Sequence, residues 1–259
     1  MGFDGSTGDK AKGVAGSQTL TRGLDVLEAI ARAPANLPEL ATKLNLSKST
    51  THRLASALID RGFLSSTARS GYRLGPKLLE LGYIAQGQVD LIQVARPIIE
   101  ELGRSTEDTV HLGVLDRDQA LYLDKLPGQR RVNISSRIGD RQPLSSTGLG
   151  KALMLDHDRE YWRTRHRVEQ PGRDDRAWLN RMRDYADRGV AFDLEENEDQ
   201  IRCVAAPVRG PGDTIVGAIS VSSAAQYMDD ARMSVLAEEV QAAARAISRE
   251  LGSPAGTRT

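Results

Sequence analysis

The sequence predicts an α+β fold divided between two domains. The chain has 259 residues, the length of two ordinary domains, and 39% of them are hydrophobic, which is enough for two cores. Apart from one predicted hairpin, apolar residues recur with helical spacing up to about residue 103. From residue 109 onward, short runs rich in β-branched residues alternate with helical segments. Such a mixture predicts a sheet covered by helices in the second half.

Two amphipathic helices are predicted before residue 45. In residues 18–33, a face of Leu20, Leu24, Leu27 and Ala31 is expected, with Val26 and Ile30 beside it, and Pro34 ends the helix. Residues 37–44 repeat apolar side chains at i, i+3, i+4 and i+7, with a proline in the first turn, where a missing N–H costs little.

The third predicted helix, residues 47–60, is apolar in its second half and polar in its first half. Ser47 is a good N-cap, and Leu54, Ala57 and Leu58 are expected to form the apolar face. Only two residues separate this helix from the preceding one, which predicts a helix-turn-helix. The polar first turns favour a recognition helix that enters the DNA major groove. A capped, polar surface helix is the alternative.

A β-hairpin follows the third helix. Arg61 and Gly62 end the helix, and residues 63–66 and 71–74 are expected to be strands around a tip that contains Arg69. Three helices followed by a hairpin predict a winged helix. Residues 17–75 hold eight Lys/Arg against four Asp/Glu, whereas the whole chain is neutral with 35 of each. A basic module on a neutral chain indicates nucleic-acid binding, and its small excess of charge favours binding as a dimer.

Composition excludes several classes of protein. A single cysteine excludes a disulfide framework and a multi-cysteine metal site, so no metal and no cofactor are expected. The sequence has no apolar run near 18 residues and no basic-then-apolar leader, which predicts a cytoplasmic protein without a membrane partner. Residues 1–16 and 253–259 are expected to be a disordered tail and a flexible tail.

The remaining elements are assigned from periodicity. Residues 76–90 are expected to form a helix that Gly82 and Gly87 soften and that could be an ordinary packed helix, and residues 91–252 are expected to form the second domain. Helices are predicted for residues 91–103, 148–155, 159–167, 175–188 and 229–251. Strands are predicted for residues 109–115, 120–124, 132–136, 190–194, 203–209 and 214–222. His111, in mid-strand, is expected to be a satisfied structural histidine, and the acidic run 195–199 a solvated turn.

The stretch 145–152 is a glycine-containing loop that turns into a helix. Its glycines let backbone N–H groups approach a ligand, and a helix start favours an anion such as a carboxylate. Its spacing is not that of a phosphate loop. A helix start that only packs is the alternative.

Four stretches resemble the IclR family of bacterial transcription regulators: residues 18–28 with the helix-turn-helix after them, 71–82, 143–153 and 201–208. The resemblance implies a winged helix-turn-helix, a linker helix that helps to pair subunits, and a GAF-like effector-binding domain. It also implies a homodimer or a dimer of dimers on a pseudo-palindromic, double-stranded operator.

The resemblance and the motifs together supply candidate site residues. The candidates for DNA binding are Arg22, Ser47, Lys48, Ser49, Thr50, Thr51, His52, Arg53 and Arg69. Ser49, Thr50 and Arg53 are the expected base or phosphate contacts, and the others mainly hold the backbone. The candidates for effector binding are Ile134, Thr147, Gly148, Leu149, Gly150, Asp193, Ile201, Cys203, Ser220 and Ser222. Gln142 departs from an apolar residue of some members, which suggests a more polar pocket and a hydroxylated effector.

The expected function is a transcriptional regulator of a catabolic operon, such as a repressor, without enzyme activity. Its small-molecule effector is expected to bear a carboxylate: a sugar acid, keto acid or aromatic acid. One alternative is a GAF-like thiol enzyme that uses Cys203, although no histidine of the sequence is tied to this residue. Another is a protein-interaction module, against which the basic excess argues.

Overall fold

The structure, a computed structural model, describes residues 18–67, 71–131 and 134–254, apart from the side chain of Gln86. The chain divides into two compact units between Gln88 and Val89. The predicted tail 1–16, the hairpin tip with Arg69, and residues 255–259 lie outside the described residues.

The first unit contains three helices, a hairpin and a fourth helix. Their bounds are α1 Gln18–Arg32, α2 Leu37–Lys43, α3 Lys48–Asp60, β1 Leu64–Thr67, β2 Gly71–Leu74 and α4 Pro76–Gln88. The hairpin is antiparallel, and its return strand also bridges Ala35 through Tyr72. Gly71 allows this bridge: its φ is +69°, and a Cβ there would lie 2.6 Å from the Ala35 carbonyl oxygen.

Helix caps explain where α2 and α3 begin. Asn36 and Glu39 form a reciprocal capping box, with both hydrogen bonds at 3.0 Å, at the start of α2. The Ser47 side chain accepts the N–H of Thr50 at the start of α3, as predicted.

The core faces of α1 and α3 differ from those predicted. In α1 the buried residues are Val26 and Ile30, whereas Leu20 and Leu24 are 65% and 49% exposed. In α3 the buried residues are Thr51, Leu54 and Ala55, and Ala57 is exposed. Each of these two helices has two possible apolar faces, offset from each other by about one residue. Packing against the other elements of the unit selects one of the two faces.

The second unit contains one six-stranded antiparallel sheet. Its elements are α5 Leu91–Thr106, β3 Thr109–Asp116, β4 Gln119–Leu126, β5 Arg141–Gln142, α6 Gly148–Leu153, α7 Arg159–Glu169, α8 Asp175–Arg188, β6 Ala191–Leu194, β7 Ile201–Arg209, β8 Ile215–Ala224 and α9 Asp230–Glu250. The strand order is β5-β4-β3-β8-β7-β6. Helices α5 and α9 pack together on one face of the sheet, and α6 packs on the other face. The predicted α+β class is confirmed.

One predicted strand is wrong, and one tail residue is ordered. Residues 134–136 of the predicted strand 132–136 are not a strand, and residues 132–133 lie outside the described part of the chain. The Lys125 Nζ donates to the carbonyls of Ile134 and Ser136, at 2.6 Å each, so these carbonyls bond to a side chain instead of a neighbouring strand. The short β5 pairs with β4 instead. Ser253, expected in the flexible tail, is buried and bonds to Asp213.

Candidate functional site

The first two turns of α3 carry an exposed polar surface. Its C-terminal half is fixed by Leu54 and Ala55, which pack in the core of the first unit. Lys48, Ser49, His52 and Arg53 are exposed, as is the N-cap Ser47. Among the described residues, the side chains of Lys48, His52 and Arg53 have no hydrogen-bond or ion-pair partner. These polar and cationic groups are therefore available to an external anion or base.

Hydroxyl groups connect the start of this helix. The Ser47 Oγ donates to the Thr50 Oγ1 at 2.9 Å and lies 3.0 Å from the Ser49 Oγ. Thr50 is half-buried. Thr51 is 0% exposed, and its hydroxyl donates to the Ser47 carbonyl at 3.0 Å. Thr51 therefore cannot contact DNA directly, and its prediction as a DNA contact is wrong. Arg22 is half-buried in α1, and Arg69 lies outside the described residues.

Strand pairing in the second unit brings distant candidates together. Asp193 of β6 lies opposite Cys203 of β7, which in turn lies opposite Ser222 of β8. His111 of β3 lies opposite Ser220 of β8. Because directly opposed residues point to the same face, these side chains share the face on which α6 packs.

A cavity of about 110 Å³ lies on this face. One water molecule needs roughly 10–15 Å³ of such space, so the cavity suits a small metabolite. The candidates that line it are Ile134, Thr147, Gly148, Leu149, Asp193, Ile201, Cys203 and Ser222. Gly150 and Ser220 are buried but do not belong to the lining. The structure adds lining residues that the sequence analysis did not assign: His111, Tyr122, Ser135, Ser136, Asp140, Asn197 and Glu198, besides Gln142.

The loop before α6 is held in place by side chains of the following helices. The Glu169 carboxylate accepts the N–H groups of Leu144 at 3.1 Å and Ser145 at 2.6 Å. The Trp178 indole N–H donates to the Ser145 carbonyl at 3.0 Å. Helix α6 has only six residues, and the Thr147 Oγ1 accepts the Gly150 N–H at 3.0 Å. The loop is therefore a rigid wall, and the predicted anion site at this helix start remains a prediction.

Gly148 permits the close approach of α6 to the sheet. A Cβ at this position would lie 2.8 Å from the Cys203 Sγ. We expect Gly148→Ala to displace α6 and to destabilise the second unit by ~1–3 kcal/mol, as overpacking of a core does. Chemical denaturation checks this. In the matched control Gly23→Ala, the new Cβ has no atom within 4 Å, so no loss is expected. Equal stability of Gly148→Ala and wild type would contradict the close packing.

Three acidic side chains, and no lysine or arginine, stand among the described residues that line the cavity. They are Asp140, Asp193 and Glu198. Behind them, the fully buried Lys151 donates to the Phe192 carbonyl at 2.9 Å and pairs with Glu196. Glu196 of the acidic run is thus anchored, whereas residues 197–199 are exposed, as expected for a solvated turn. The Asp193 Oδ1 accepts the Glu196 N–H at 2.8 Å.

Burial raises the pKa of Asp193 to about 6, although Lys151 opposes the shift. The folded protein therefore binds more protons than the unfolded chain between about pH 4 and pH 6, and ionisation of Asp193 costs stability as the pH rises. We expect Asp193→Asn to stabilise the protein relative to wild type by up to ~3 kcal/mol at pH 7.5 but by only ~1 kcal/mol at pH 4.5. Urea denaturation at both pH values checks this. A difference that stays constant with pH would contradict it.

The single cysteine does not have the environment of a nucleophile. Cys203 is buried, and burial raises the pKa of its thiol to about 11, so the thiol is protonated at neutral pH. Within the described part of the chain, no cluster of three or more His, Cys, Asp or Glu side chains could hold a metal ion. None of the described helices could span a bilayer.

Comparison with known families covers almost the whole chain. A model of the IclR helix-turn-helix domain matches residues 19–68, and a model of the C-terminal domain of the bacterial transcriptional regulator IclR matches residues 84–249. The chain is 33% identical to the HTH-type transcriptional regulator XynR of Escherichia coli, over 92% of this chain and 98% of the relative. It is 33% identical to the regulator KdgR of the same organism, over 83% and 85% of the two chains.

Solved structures show the same fold. The crystal structure of Pseudomonas aeruginosa HmgR superposes with a TM-score of 0.79 over 92% of this chain and 99% of that chain, at 24% identity. The C-terminal domain of E. coli KdgR superposes with a TM-score of 0.53 over 63% of this chain and 99% of that domain, at 31% identity.

Proposed function

Because the chain belongs to the IclR family of bacterial transcriptional regulators, we propose that it controls a catabolic operon from the bacterial cytoplasm. In this proposal α3 binds operator DNA, and the cavity of the second unit binds a small metabolite that bears a carboxylate. Membership of this family supports the general function, that of a regulator with a DNA-binding helix-turn-helix and an effector domain.

The exposed polar surface at the start of α3 supports the DNA-binding half of the proposal. Ser49, Thr50 and Arg53 are the proposed base or phosphate contacts, and Lys48 and His52 hold the backbone. The observation that carries this assignment is the absence of any partner for Lys48, His52 and Arg53 among the described residues.

The polar cavity supports the effector half of the proposal. Its volume of about 110 Å³ and its many hydroxyl and amide groups favour a small ligand with hydroxyl or carbonyl oxygens over an aromatic acid, whereas the three carboxyl groups of the lining do not themselves favour the carboxylate of the ligand. The buried, protonated thiol of Cys203 argues against a thiol enzyme.

Exposed apolar side chains on α1 and α4 support a homodimer. Leu20 and Leu24 of α1 are 65% and 49% exposed, and Leu79 and Tyr83 of α4 are 78% and 81% exposed. Helix α4 holds no buried residue among those described. Since such surface favours contact with another chain, we propose that α1 and α4 pair two subunits on a pseudo-palindromic operator, with a dimer of dimers as the larger assembly.

Residues 76–90 are the proposed linker between residues 17–75 and 91–252. Gly82 and Gly87 of α4 have open space around them and lower the helix propensity, which allows the linker to change its conformation. Ligand binding would then shift DNA affinity by a coupling free energy that is typically ~1–3 kcal/mol.

Two measurements test the proposal together. Retardation of DNA from the region upstream of the gene should fall steeply with salt, and a thermal-shift screen of sugar, keto and aromatic acids should yield a stabilising ligand. The stabilisation should disappear in Asp193→Ala. Equal affinity for upstream and unrelated DNA at physiological salt would contradict the proposed sequence-specific regulator. If a ligand stabilised Asp193→Ala as much as the wild type, the effector would bind outside the proposed cavity.

A further inference from the structure

Tyr122 of β4 stands on the wall of the effector cavity and faces α6. It lies opposite Gly113 of β3 in the pairing of the two strands. A Cβ at Gly113 would lie 2.9 Å from the Leu149 Cδ2 of α6, so Gly113 and the opposed Tyr122 both face this helix. Tyr122 is 8% exposed and lines the cavity together with Leu149. The aromatic ring is therefore buried beside the space that the effector would fill.

The hydroxyl group of this tyrosine is accessible and has no partner. Within the described part of the chain, the Tyr122 Oη forms no hydrogen bond. The unpartnered polar atoms that are sealed inside the described structure include the His111 Nδ1 and the Ser220 Oγ, but not the Tyr122 Oη. Because Tyr122 is nine-tenths buried and lines the cavity, its accessible hydroxyl points into the cavity.

A neighbouring imidazole holds the tyrosine ring in place. The His111 ring packs against the Tyr122 ring at a centroid distance of 4.7 Å. The His111 Nε2 lies 2.7 Å from the Ser136 Oγ, and the Lys125 Nζ donates to the Ser136 carbonyl at 2.6 Å, which fixes the segment that orients the imidazole. The expectation of a fully satisfied structural histidine is wrong for Nδ1, which has no partner among the described residues. Since this atom is sealed from the cavity, His111 supports the tyrosine and does not itself reach a ligand.

The cavity offers no positive charge to a carboxylate. Its described lining contains Asp140, Asp193 and Glu198 but no lysine or arginine. Burial and the neighbouring Lys125 lower the pKa of His111 to about 3, so the imidazole is neutral in the cell. A carboxylate that enters this cavity must therefore be held by neutral hydrogen-bond donors.

Among the neutral donors of the lining, the Tyr122 hydroxyl is the best suited to an anion. Burial raises the pKa of Tyr122, and the neighbouring Cys203 and Asp193 raise it further, so the hydroxyl keeps its proton and can donate it. A phenol is a more acidic donor than the hydroxyl of a serine or threonine. A hydrogen bond to an ionised acceptor is roughly twice as strong as a neutral one. Such a bond would also satisfy a buried side chain that otherwise lacks a partner.

We propose that Tyr122 is a specificity-determining residue whose hydroxyl donates a hydrogen bond to the carboxylate of the effector. This inference rests on the proposed effector cavity and its carboxylate-bearing ligand, and it names the group that holds the carboxylate. Because the hydroxyl has no partner within the described protein, its removal should cost ligand affinity but no stability. A tyrosine with a merely structural role would show the opposite pattern.

Tyr122→Phe tests the inference on the full-length protein, because it removes only the hydroxyl. Binding is measured by calorimetry for pyruvate, lactate, glycerate and gluconate, each against its uncharged primary amide. We expect the wild type to bind at least one of these acids, and Tyr122→Phe to bind it ~10–100-fold more weakly, as the loss of a hydrogen bond to a charged group does. Affinity for the amide should fall by no more than about fivefold. The melting temperature without ligand should not fall.

Tyr161→Phe is the matched control. The Tyr161 hydroxyl donates to the Asp118 Oδ1 at 3.0 Å, and Tyr161 does not line the cavity. This variant should keep the wild-type affinity for the acid. If Tyr122→Phe does not fold, the ring Cζ resonance of Tyr122 in the wild type decides, since it should move when the acid saturates the protein.

Three results would overturn the inference. Equal affinity of wild type and Tyr122→Phe for the acid, or a Cζ resonance that ignores a saturating acid, would remove Tyr122 from ligand recognition and leave the regulator and its cavity intact. An equal loss of affinity for the acid and its amide would reject the contact with the carboxylate. No binding of any probe acid to the wild type would reject the carboxylate ligand together with this contact, whereas operator binding would still test the regulator separately.

Discussion

Arg53→Ala is expected to lower the affinity for operator DNA by ~10–100-fold, because a direct contact from a recognition helix is worth about 1–3 kcal/mol. Arg53 lies in the second turn of α3, is exposed, and has no partner among the described residues. Its loss removes a cation without breaking a contact inside the protein, so the fold and the melting temperature should be unchanged. Fluorescence anisotropy with labelled upstream DNA at fixed salt measures the effect.

Arg61→Ala is the matched control for this prediction. Arg61 is also exposed and belongs to the same helix, but it is the C-cap at the opposite end. We expect the affinity of the Arg61→Ala variant for operator DNA to fall by no more than about threefold, which is the effect of losing a peripheral phosphate contact. If the two alanine variants lose affinity equally, the N-terminal turns of α3 do not read the operator.

The second large effect concerns a buried ion cluster that holds the effector domain together. The side chain of Asp108 is fully buried and accepts hydrogen bonds from the Arg130 Nε and the Ser223 Oγ at 2.6 Å each. It also pairs with Arg232. Both arginines in addition donate to the Thr106 carbonyl. One carboxylate thus joins the start of β3, the end of β8, the start of α9 and the segment after β4.

Asp108→Ala should destabilise the second unit by ~3–5 kcal/mol, since the removal of the buried carboxylate leaves two partly buried guanidinium groups and the Ser223 hydroxyl without their partner. The corresponding fall in melting temperature is ~6–20 °C. Both tryptophans, Trp162 and Trp178, lie in the second unit, so the fluorescence of thermal unfolding reports on this unit.

Asp116→Ala provides the control for the buried carboxylate. Asp116 pairs with Arg141, but both side chains are substantially exposed, at 33% and 41%. Exposed pairs contribute less than ~1 kcal/mol, so a shift of only a few degrees is expected. Comparable falls in melting temperature for Asp108→Ala and Asp116→Ala would show that the buried cluster does not stabilise the domain.

Local signals allowed most elements to be predicted from the sequence. Ser47 starts α3, Pro76 starts α4, and alternating apolar residues mark β3 and β8, because each of these features acts within a few residues. One residue of the core face predicted for α3 was wrong: Leu54 and Leu58 pack in the core, but Thr51 and Ala55 are buried in place of Ala57. Only packing against the other elements of the unit decides which of these residues are buried.

The cavity depends on register between strands that are distant in the sequence. Asp193 and Cys203 were found through the family resemblance, whereas their position in one row with Ser222 follows from the pairing of β6, β7 and β8. His111 could not be assigned to the cavity lining, because its contact with Ser136 depends on the course of the segment 134–136. That segment was predicted to be a strand, and only the bonds from Lys125 explain why it is not.

The most direct test of the central claim is a titration of the full-length protein against its own upstream DNA and against unrelated DNA of equal length, at several salt concentrations. The account predicts preferential binding of the upstream DNA, a linear fall of log affinity with log salt, and a weaker complex for Arg53→Ala. Equal and salt-insensitive binding of both DNAs, or no binding at low salt, would contradict it.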